Sequence, residues 1–292
     1  MARLHWLDSA GARFLDPEAF VAELTRQSFA VCAVPLWRAA PVVAELDRAT
    51  PRGSSGHSGG FVWSFKRQGE LKERTQVRRT SLEAADPNDF MLCSFEVMES
   101  LAEVAMEAWC ASQGLPVATA KQKFGDLSFG NSQEEGKGKS VLNLYHYFNL
   151  ETCDEEPCRS HADPGLLTVL CRSTEPGLQA LHPLKPGGAP GQPAAYEDSW
   201  CDLEPMMDAL GQGEEPHVPF LILVGETLER LSGGWHPACL HRVQPSVVPN
   251  RPRFNMAFEL RPRCNVWHPW SELAKEQDPN EEKQRRGMVD ER

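Results

Sequence analysis

Ser160-His161-Ala162-Asp163-Pro164-Gly165, followed at once by the apolar run Leu166-Leu167-Thr168-Val169-Leu170, is the stretch that decides the fold. The apolar run reads as a buried strand, and in a strand residues i and i+2 point to one face. His161 and Asp163 can therefore reach a single metal ion. A second imidazole, His241, stands far downstream in Leu240-His241-Arg242-Val243, after another strongly apolar segment. Two imidazoles and one carboxylate on one side of an ion, with the remaining positions open, form the donor set of a non-haem Fe(II) centre that handles dioxygen. A zinc hydrolase centre uses the same donors, so both readings stand at this point.

The bulk properties narrow the partners. The chain has 292 residues with 24% charged side chains, within the range of one large globular domain or two small ones. Its net charge of −11 argues against a nucleic-acid or anionic-membrane surface, which needs a basic patch. The dense basic runs, Lys72-Glu73-Arg74 to Arg78-Arg79 and Lys283 to Arg286, read as a solvated face and a solvated tail. Nine cysteines form no regular framework, and the first residues, Met1 to Asp8, lack the apolar core of a secretory signal. No apolar run approaches the ~18 residues of a membrane span. A monomer in the reducing cytoplasm is expected. Cys153 and Cys158 flank an acidic cluster near His161, but no second close cysteine pair completes a four-thiolate zinc site.

The first third reads as helices with short strands. Asp16 to Gln27 has an N-capping Asp and Pro at the first helical position. Phe29 to Val34 reads as a strand, Pro41 to Ala49 as a second helix, and Asp86 to Gln113 as a long amphipathic helix ending near Gly114. From Val141 onward, short apolar runs alternate with glycine and proline: Val141–Tyr145, Leu166–Cys171, Leu178–Leu181, Phe220–Val224 and Phe254–Leu260. That is the rhythm of a sandwich or barrel. Pro51–Gly60, Gly130–Ser140 and Lys185–Pro193 read as loops, and the chain from Lys275 as a polar tail.

Five blocks in this order resemble a known family: His161-Ala-Asp163-Pro-Gly; Gly177-Leu-Gln179; Phe220-Leu-Ile-Leu-Val-Gly225-Glu226; Leu240-His241-Arg242-Val243; and Arg253-Phe254-Asn255. They resemble the 2-oxoglutarate- and Fe(II)-dependent dioxygenases of the isopenicillin N synthase-like group. The likeness spans residues 141–260 and weakens over the N-terminal helices. It implies an α+β fold, a double-stranded β-helix (jelly roll) core with N-terminal helices packed outside. The expected division is a mainly helical region at 1–125, the dioxygenase core at 126–270 and a tail at 271–292.

The resemblance also implies roles. His161, Asp163 and His241 become the metal ligands, with His236 a rival for the third position. Arg253 is expected to fork onto the far carboxylate of 2-oxoglutarate, which a guanidinium does with two parallel hydrogen bonds. Arg251 is a nearby alternative. The family places Ser two residues beyond that Arg; this chain has Asn255, a longer donor. A tyrosine from the preceding strand completes the cosubstrate site, and two registers stay open. One uses Asn143 and Tyr145, the other Tyr147. Gly225-Glu226 stands where the family has Gly-Asp. Met206 to His217 is an extra segment, long enough for a short helix or a flap over the site mouth, and otherwise a surface excursion.

The implied cofactors are Fe(II), 2-oxoglutarate as cosubstrate, and ascorbate as reductant, with dioxygen and a small-molecule substrate as the other partners. Hydroxylation or desaturation of an organic metabolite, with release of succinate and CO2, is the expected reaction. An Fe(II) oxidase of the same fold that does not use 2-oxoglutarate, and a non-catalytic binding protein on that fold, are the alternatives.

Overall fold

The computed structural model describes residues 4–8, 13–49, 63–65, 72–78, 89–115, 140–148, 156–184, 196–210, 216–245 and 251–262. The loops read at 51–60 and 185–193, most of 130–140, the tail from 275 and the divisions near 125 and 270 lie outside the described residues.

The strands are β1 (Leu4–Trp6), β2 (Phe29–Pro35), β3 (Trp63–Phe65), β4 (Lys72–Val77), β5 (Val141–Tyr147), β6 (Cys158–His161), β7 (Leu167–Cys171), β8 (Leu178–Pro183), β9 (Tyr196–Asp202), β10 (His217–Val224), β11 (His241–Val243) and β12 (Arg253–Leu260). The helices are α1 (Pro17–Gln27), α2 (Leu36–Ala49), α3 (Phe90–Ser112), α4 (Glu204–Leu210) and α5 (Glu226–Leu231). Eight strands form one sheet in the order β1-β2-β10-β7-β12-β5-β4-β3, and four form a second in the order β6-β11-β8-β9. All pairings are antiparallel except β1 with β2. This is the jelly roll, with helices outside the larger sheet.

Alternation along the strands builds two cores. In β12, Phe254, Met256, Phe258 and Leu260 point to the outer face and join Phe20, Leu24, Phe95, Met98 and Trp109 of the helices. Fully burying side chains of this size contributes roughly 1.5–3 kcal/mol each. On the inner face, Tyr147, Leu170, Leu221, Leu223 and Ala257 of the large sheet meet Leu178, Ala180 and Val243 of the small one. The inner residues of β12 are Arg253, Asn255, Ala257 and Glu259, so the polar positions of that strand face the space between the sheets.

Helix α1 begins where the sequence places it, with the Asp16 carboxylate accepting from the Ala19 amide at 2.9 Å. Helix α2 starts five residues before the expected Pro41, at Leu36, whose amide donates to the Pro216 carbonyl. Proline removes one intrahelical bond. Here the loss falls in the second turn, and the segment ahead of it buries Ala39 completely. Helix α3 starts at Phe90, four residues later than the pattern suggests, because Asp89 is the cap: its carboxylate accepts from Met91 and Leu92.

Two other readings change. The basic run from Lys72 is a strand, β4, paired along its length with β5. Its even-numbered residues, Lys72, Arg74 and Gln76, stand opposite Tyr147, Tyr145 and Asn143 on the inner face. The first part of the extra segment takes the short-helix reading, not that of a surface excursion. It belongs to α4, whose Met207 is buried in the inter-sheet core.

Candidate metal centre

His161 ends β6 and His241 begins β11, and the two are directly paired across the small sheet. Asp163 follows in the turn that leads into β7. The ligand atoms of these three residues all lie within 4.8 Å of one another. His161 Nε2 is 3.6 Å from Asp163 Oδ1, and His241 Nε2 is 3.9 Å from Asp163 Oδ2. The imidazole centroids are 4.4 Å apart. Among the described residues this is the cluster of three or more such side chains that could hold an ion.

The second layer of contacts fixes how each ligand points. His161 Nδ1 donates to the Arg159 carbonyl at 2.8 Å, and His241 Nδ1 to the Cys239 carbonyl at 3.0 Å. A proton on Nδ1 leaves the Nε2 lone pair for a metal. Asp163 Oδ2 accepts from the Thr168 hydroxyl at 2.6 Å, which leaves Oδ1 toward the centre.

The turn carrying Asp163 is clamped by the start of α5. The amides of Glu226 and Thr227 donate to the carbonyls of Asp163 and Gly165, and the Thr227 hydroxyl donates to the Pro164 carbonyl. Gly225 is needed here because a Cβ on it would lie 2.3 Å from the Gly165 carbonyl oxygen. The Gly225-Glu226 pair thus acts through backbone proximity to the metal turn.

Electrostatics bind the cluster together. The hydrogen bond to Asp163 raises the His161 pKa to about 10. Burial alone would raise the Asp163 pKa, yet the hydrogen bond from His161 and the neighbouring His241 and Thr168 bring it down to about 2. Burial lowers the His241 pKa, so this ring favours its neutral, ligating form. Carboxylate oxygen and two imidazole nitrogens fit a borderline divalent ion such as Fe(II).

The other expected residues line the inner face of the large sheet. Arg253 stands opposite Tyr147, with its guanidinium carbon 5.1 Å from the ring centroid. It is 1% exposed, and two of its donors are already engaged. Nη2 pairs with Glu204 Oε1 at 2.9 Å and Nε donates to the Glu175 carbonyl. Glu204 is fully held in turn, accepting from the Ser173 hydroxyl and the Leu178 amide. Asn255 stands opposite Tyr145, but its side-chain amide donates to the Cys171 carbonyl. Asn143 stands opposite Ala257 and accepts from Gln76. Of the two tyrosine registers, Tyr147 is the one beside Arg253. Burial raises the pKa of Tyr145 to about 12, helped by the charge of Asp163, and burial also raises that of Tyr147, so both remain neutral phenols.

Arg251 lies at the surface and pairs with Glu175. His236 is not part of the cluster. It is buried among the helices, with Nδ1 3.1 Å from the Thr25 hydroxyl and its ring against Trp109, and burial lowers its pKa to about 4. Cys153 lies outside the described residues, while Cys158 faces Lys72 at 3.1 Å and His161 at 3.9 Å.

Three residues in contact with this group escape the sequence reading. Thr168 hides within an apolar run, although its position five residues after Asp163 is a signal. Glu204 follows the Trp200 strand without any local sign of a partner. Lys72 is concealed by its basic surroundings.

Comparison with known proteins agrees with the geometry. Residues 139–262 match the model of the 2OG-Fe(II) oxygenase superfamily. Gibberellin 20 oxidase 3 of Oryza sativa subsp. japonica is 28% identical over 271 residues, covering 86% of this chain and 63% of that protein. A 2-oxoglutarate-dependent dioxygenase of Amanita muscaria is 31% identical over 141 residues, covering 47% of this chain and 58% of its own length. The chain thus spans less than two thirds of these curated relatives. Among solved structures, dioxygenase for auxin oxidation 1 from Arabidopsis thaliana, in its 2-oxoglutarate complex, superimposes with a TM-score of 0.64. It is 15% identical, covering 93% of this chain and 97% of that one.

Proposed function

Residues 139–262 belong to the 2OG-Fe(II) oxygenase superfamily, and on that premise we propose that the protein is a non-haem Fe(II)- and 2-oxoglutarate-dependent oxygenase of a small organic molecule. The observation that carries this reading is the convergence of His161, Asp163 and His241, with both imidazoles locked by their Nδ1 hydrogen bonds so that Nε2 faces the shared point.

When bound, Fe(II) and 2-oxoglutarate would supply the oxidising power for an O2-dependent oxidation of a substrate C–H bond, with succinate and CO2 as the coproducts. The chain's own residues do the positioning. His161, Asp163 and His241 would hold the ion, and Thr168 fixes the Asp163 carboxylate. Arg253 and Tyr147 offer a cation and a neutral phenol to the far carboxylate of 2-oxoglutarate at one end of the inner face. Asn255, tied to Cys171, supports the strand beside them. Desaturation uses the same machinery. Ascorbate serves to keep the iron reduced.

A small-molecule substrate accords with relatives named for gibberellin and for auxin oxidation. The net charge of −11 disfavours nucleic acid. No helix among the described residues is long and apolar enough to cross a membrane. The protein is proposed to act as a monomer in the cytoplasm.

One observation favours a second reading, an Fe(II) oxidase of the same fold that does not use 2-oxoglutarate. The charge of Arg253 is already met by Glu204, which weakens the pull on a dicarboxylate. Two measurements decide. Anaerobic Fe(II) plus 2-oxoglutarate should give a visible charge-transfer band that disappears in His161→Ala. Succinate should then form in an oxygen-dependent manner. A band that survives in His161→Ala refutes the ligand assignment, and turnover of substrate without succinate transfers the reading to the oxidase.

A further inference from the structure

Cys158 is a half-buried free thiol on β6, and its side chain faces nitrogens. Lys72 Nζ lies 3.1 Å from its Sγ, and His161 Nδ1 lies 3.9 Å away. Two other thiols of the chain meet carbonyl oxygens instead: Cys171 donates to Met256 and Cys201 to Ala180. A carbonyl oxygen offers no nucleophile to an oxidised sulfur, whereas a primary amine does. The contact is also long-range, between residues 86 positions apart in sequence. It joins β4 of the eight-stranded sheet to β6, an edge strand of the four-stranded one.

Oxidation of a thiolate by a peroxide gives a sulfenic acid, which condenses with a nearby thiol or nitrogen as water leaves. An ammonium beside a thiol favours the thiolate, the form that peroxide attacks. Here the nitrogen is Lys72 Nζ. Cysteine thiolate, lysine ammonium and hydrogen peroxide become Cys–S–NH–Lys and two molecules of water. Sulfur gives up two electrons, and the breaking O–O bond takes them. The S–N bond then replaces the S–OH bond of the sulfenic acid, and the two protons lost by the ammonium leave in the water. An attacking thiolate reverses the link by displacing the amine from sulfur.

We propose that Cys158 and Lys72 are a peroxide-sensitive modification site, which closes to a reversible sulfenamide cross-link between β4 and β6. The bond lies on the Nδ1 side of His161, away from the metal-facing Nε2, so it locks the two sheets together and leaves the metal position open. A covalent link across 86 positions constrains the unfolded chain as a long-loop disulfide does. It also holds the sulfur at a reversible stage of oxidation, short of the sulfinic and sulfonic acids. The inference stands apart from the oxygenase reading, since thiol, amine and peroxide suffice.

The test uses full-length protein loaded with Zn(II), which keeps iron–peroxide chemistry out, as wild type, Cys158→Ser, Lys72→Gln and Lys72→Arg. Each is treated with hydrogen peroxide, digested and read by mass spectrometry, with dimedone in a parallel sample to trap sulfenic acid. Wild type should give a linked pair of peptides, one with Cys158 and one with Lys72, two hydrogens lighter than their sum and split by dithiothreitol. The Tm of the treated protein should rise by about 5 °C or more and fall back with dithiothreitol. Cys158→Ser should give no link. Lys72→Gln and Lys72→Arg should give none either, and their Cys158 should carry dimedone or go on to sulfinic acid. The wild-type link is read without any variant, so a variant that fails to fold does not shield the proposal. It is overturned if Cys158 of wild type stays a thiol, if it is oxidised without linking, if it links to another residue, or if the linked pair retains an oxygen atom. A linked protein with unchanged Tm would overturn the lock between the sheets.

Discussion

His161 and Asp163 form an ion pair in the metal-free protein, and that pair has a pH signature. The folded-state pKa of His161 is raised to about 10 from an ordinary value of 6.5. Its stabilisation is full below about pH 6.5 and is lost as pH rises through about 10. Asp163, depressed to about 2 from 3.8, adds stability present above its unfolded value and lost as pH falls through about 2. Chelator-treated protein should therefore show a urea midpoint that declines between pH 7 and 10, and His161→Ala should lack that decline. Parallel profiles for the two proteins would rule the pair out as its source. Metal replaces the same proton, so loading at neutral pH should release it. Thr168 belongs to this scale too. Thr168→Val keeps the shape of the side chain and deletes the hydroxyl on Asp163 Oδ2. Metal affinity should fall about tenfold or more, as is usual when a ligand loses its supporting hydrogen bond. Competition with a chromophoric chelator measures it, and unchanged affinity would mean that Asp163 needs no such support.

At the scale of elements, the junction of β10 with α5 is the tightest point near the metal. A methyl on Gly225 would press into the Gly165 backbone at 2.3 Å and against the Asp163 carbonyl at 3.1 Å. Gly225→Ala should cost about 3 kcal/mol in chemical denaturation, at the upper end for overpacking, and should weaken metal binding as well. A destabilised variant with intact metal affinity would separate the junction from the site. Elements built from apolar runs between turn residues were legible from the chain: β5, β7, β10 and β12 announce themselves this way. The His161-Ala-Asp163 spacing does bring the two side chains together, but through the turn after β6 and not through a shared strand face, since β6 ends at His161. Strand β4 was not legible, because its inner positions are Lys72, Arg74 and Gln76. Inward polar residues reverse the usual pattern, and only pairing with β5 reveals them. The start of α2 was hidden by Pro41, which marks a helix beginning far more often than a second turn. Strands β6 and β11, four and three residues long, carry too little pattern to stand out, although they bear both imidazoles.

At the scale of the whole molecule, the Arg253–Glu204 pair joins the end of the large sheet to α4 and, through the Leu178 amide, to the small sheet. Both side chains are 2% exposed. Nothing local in the sequence links residues 49 positions apart, which is why Arg253 was readable as a carboxylate binder and Glu204 was not readable at all. A buried pair adds little over an apolar replacement, but removing one partner leaves a buried charge alone, at a cost of about 3–5 kcal/mol. Glu204→Ala should be destabilised by that amount in the absence of ligand. The vacated guanidinium then faces the end of the pocket proposed for the far carboxylate of 2-oxoglutarate. A ligand that binds the folded state stabilises it in proportion to its affinity. Addition of 2-oxoglutarate with Mn(II) should therefore raise the Tm of Glu204→Ala by more than it raises that of wild type, while acetate should raise neither. An equal rise in both proteins would show that Glu204 and the cosubstrate do not share Arg253. A rise in wild type alone would show that Glu204 holds Arg253 in the pose that 2-oxoglutarate requires, which makes the internal carboxylate a positioning residue of the site.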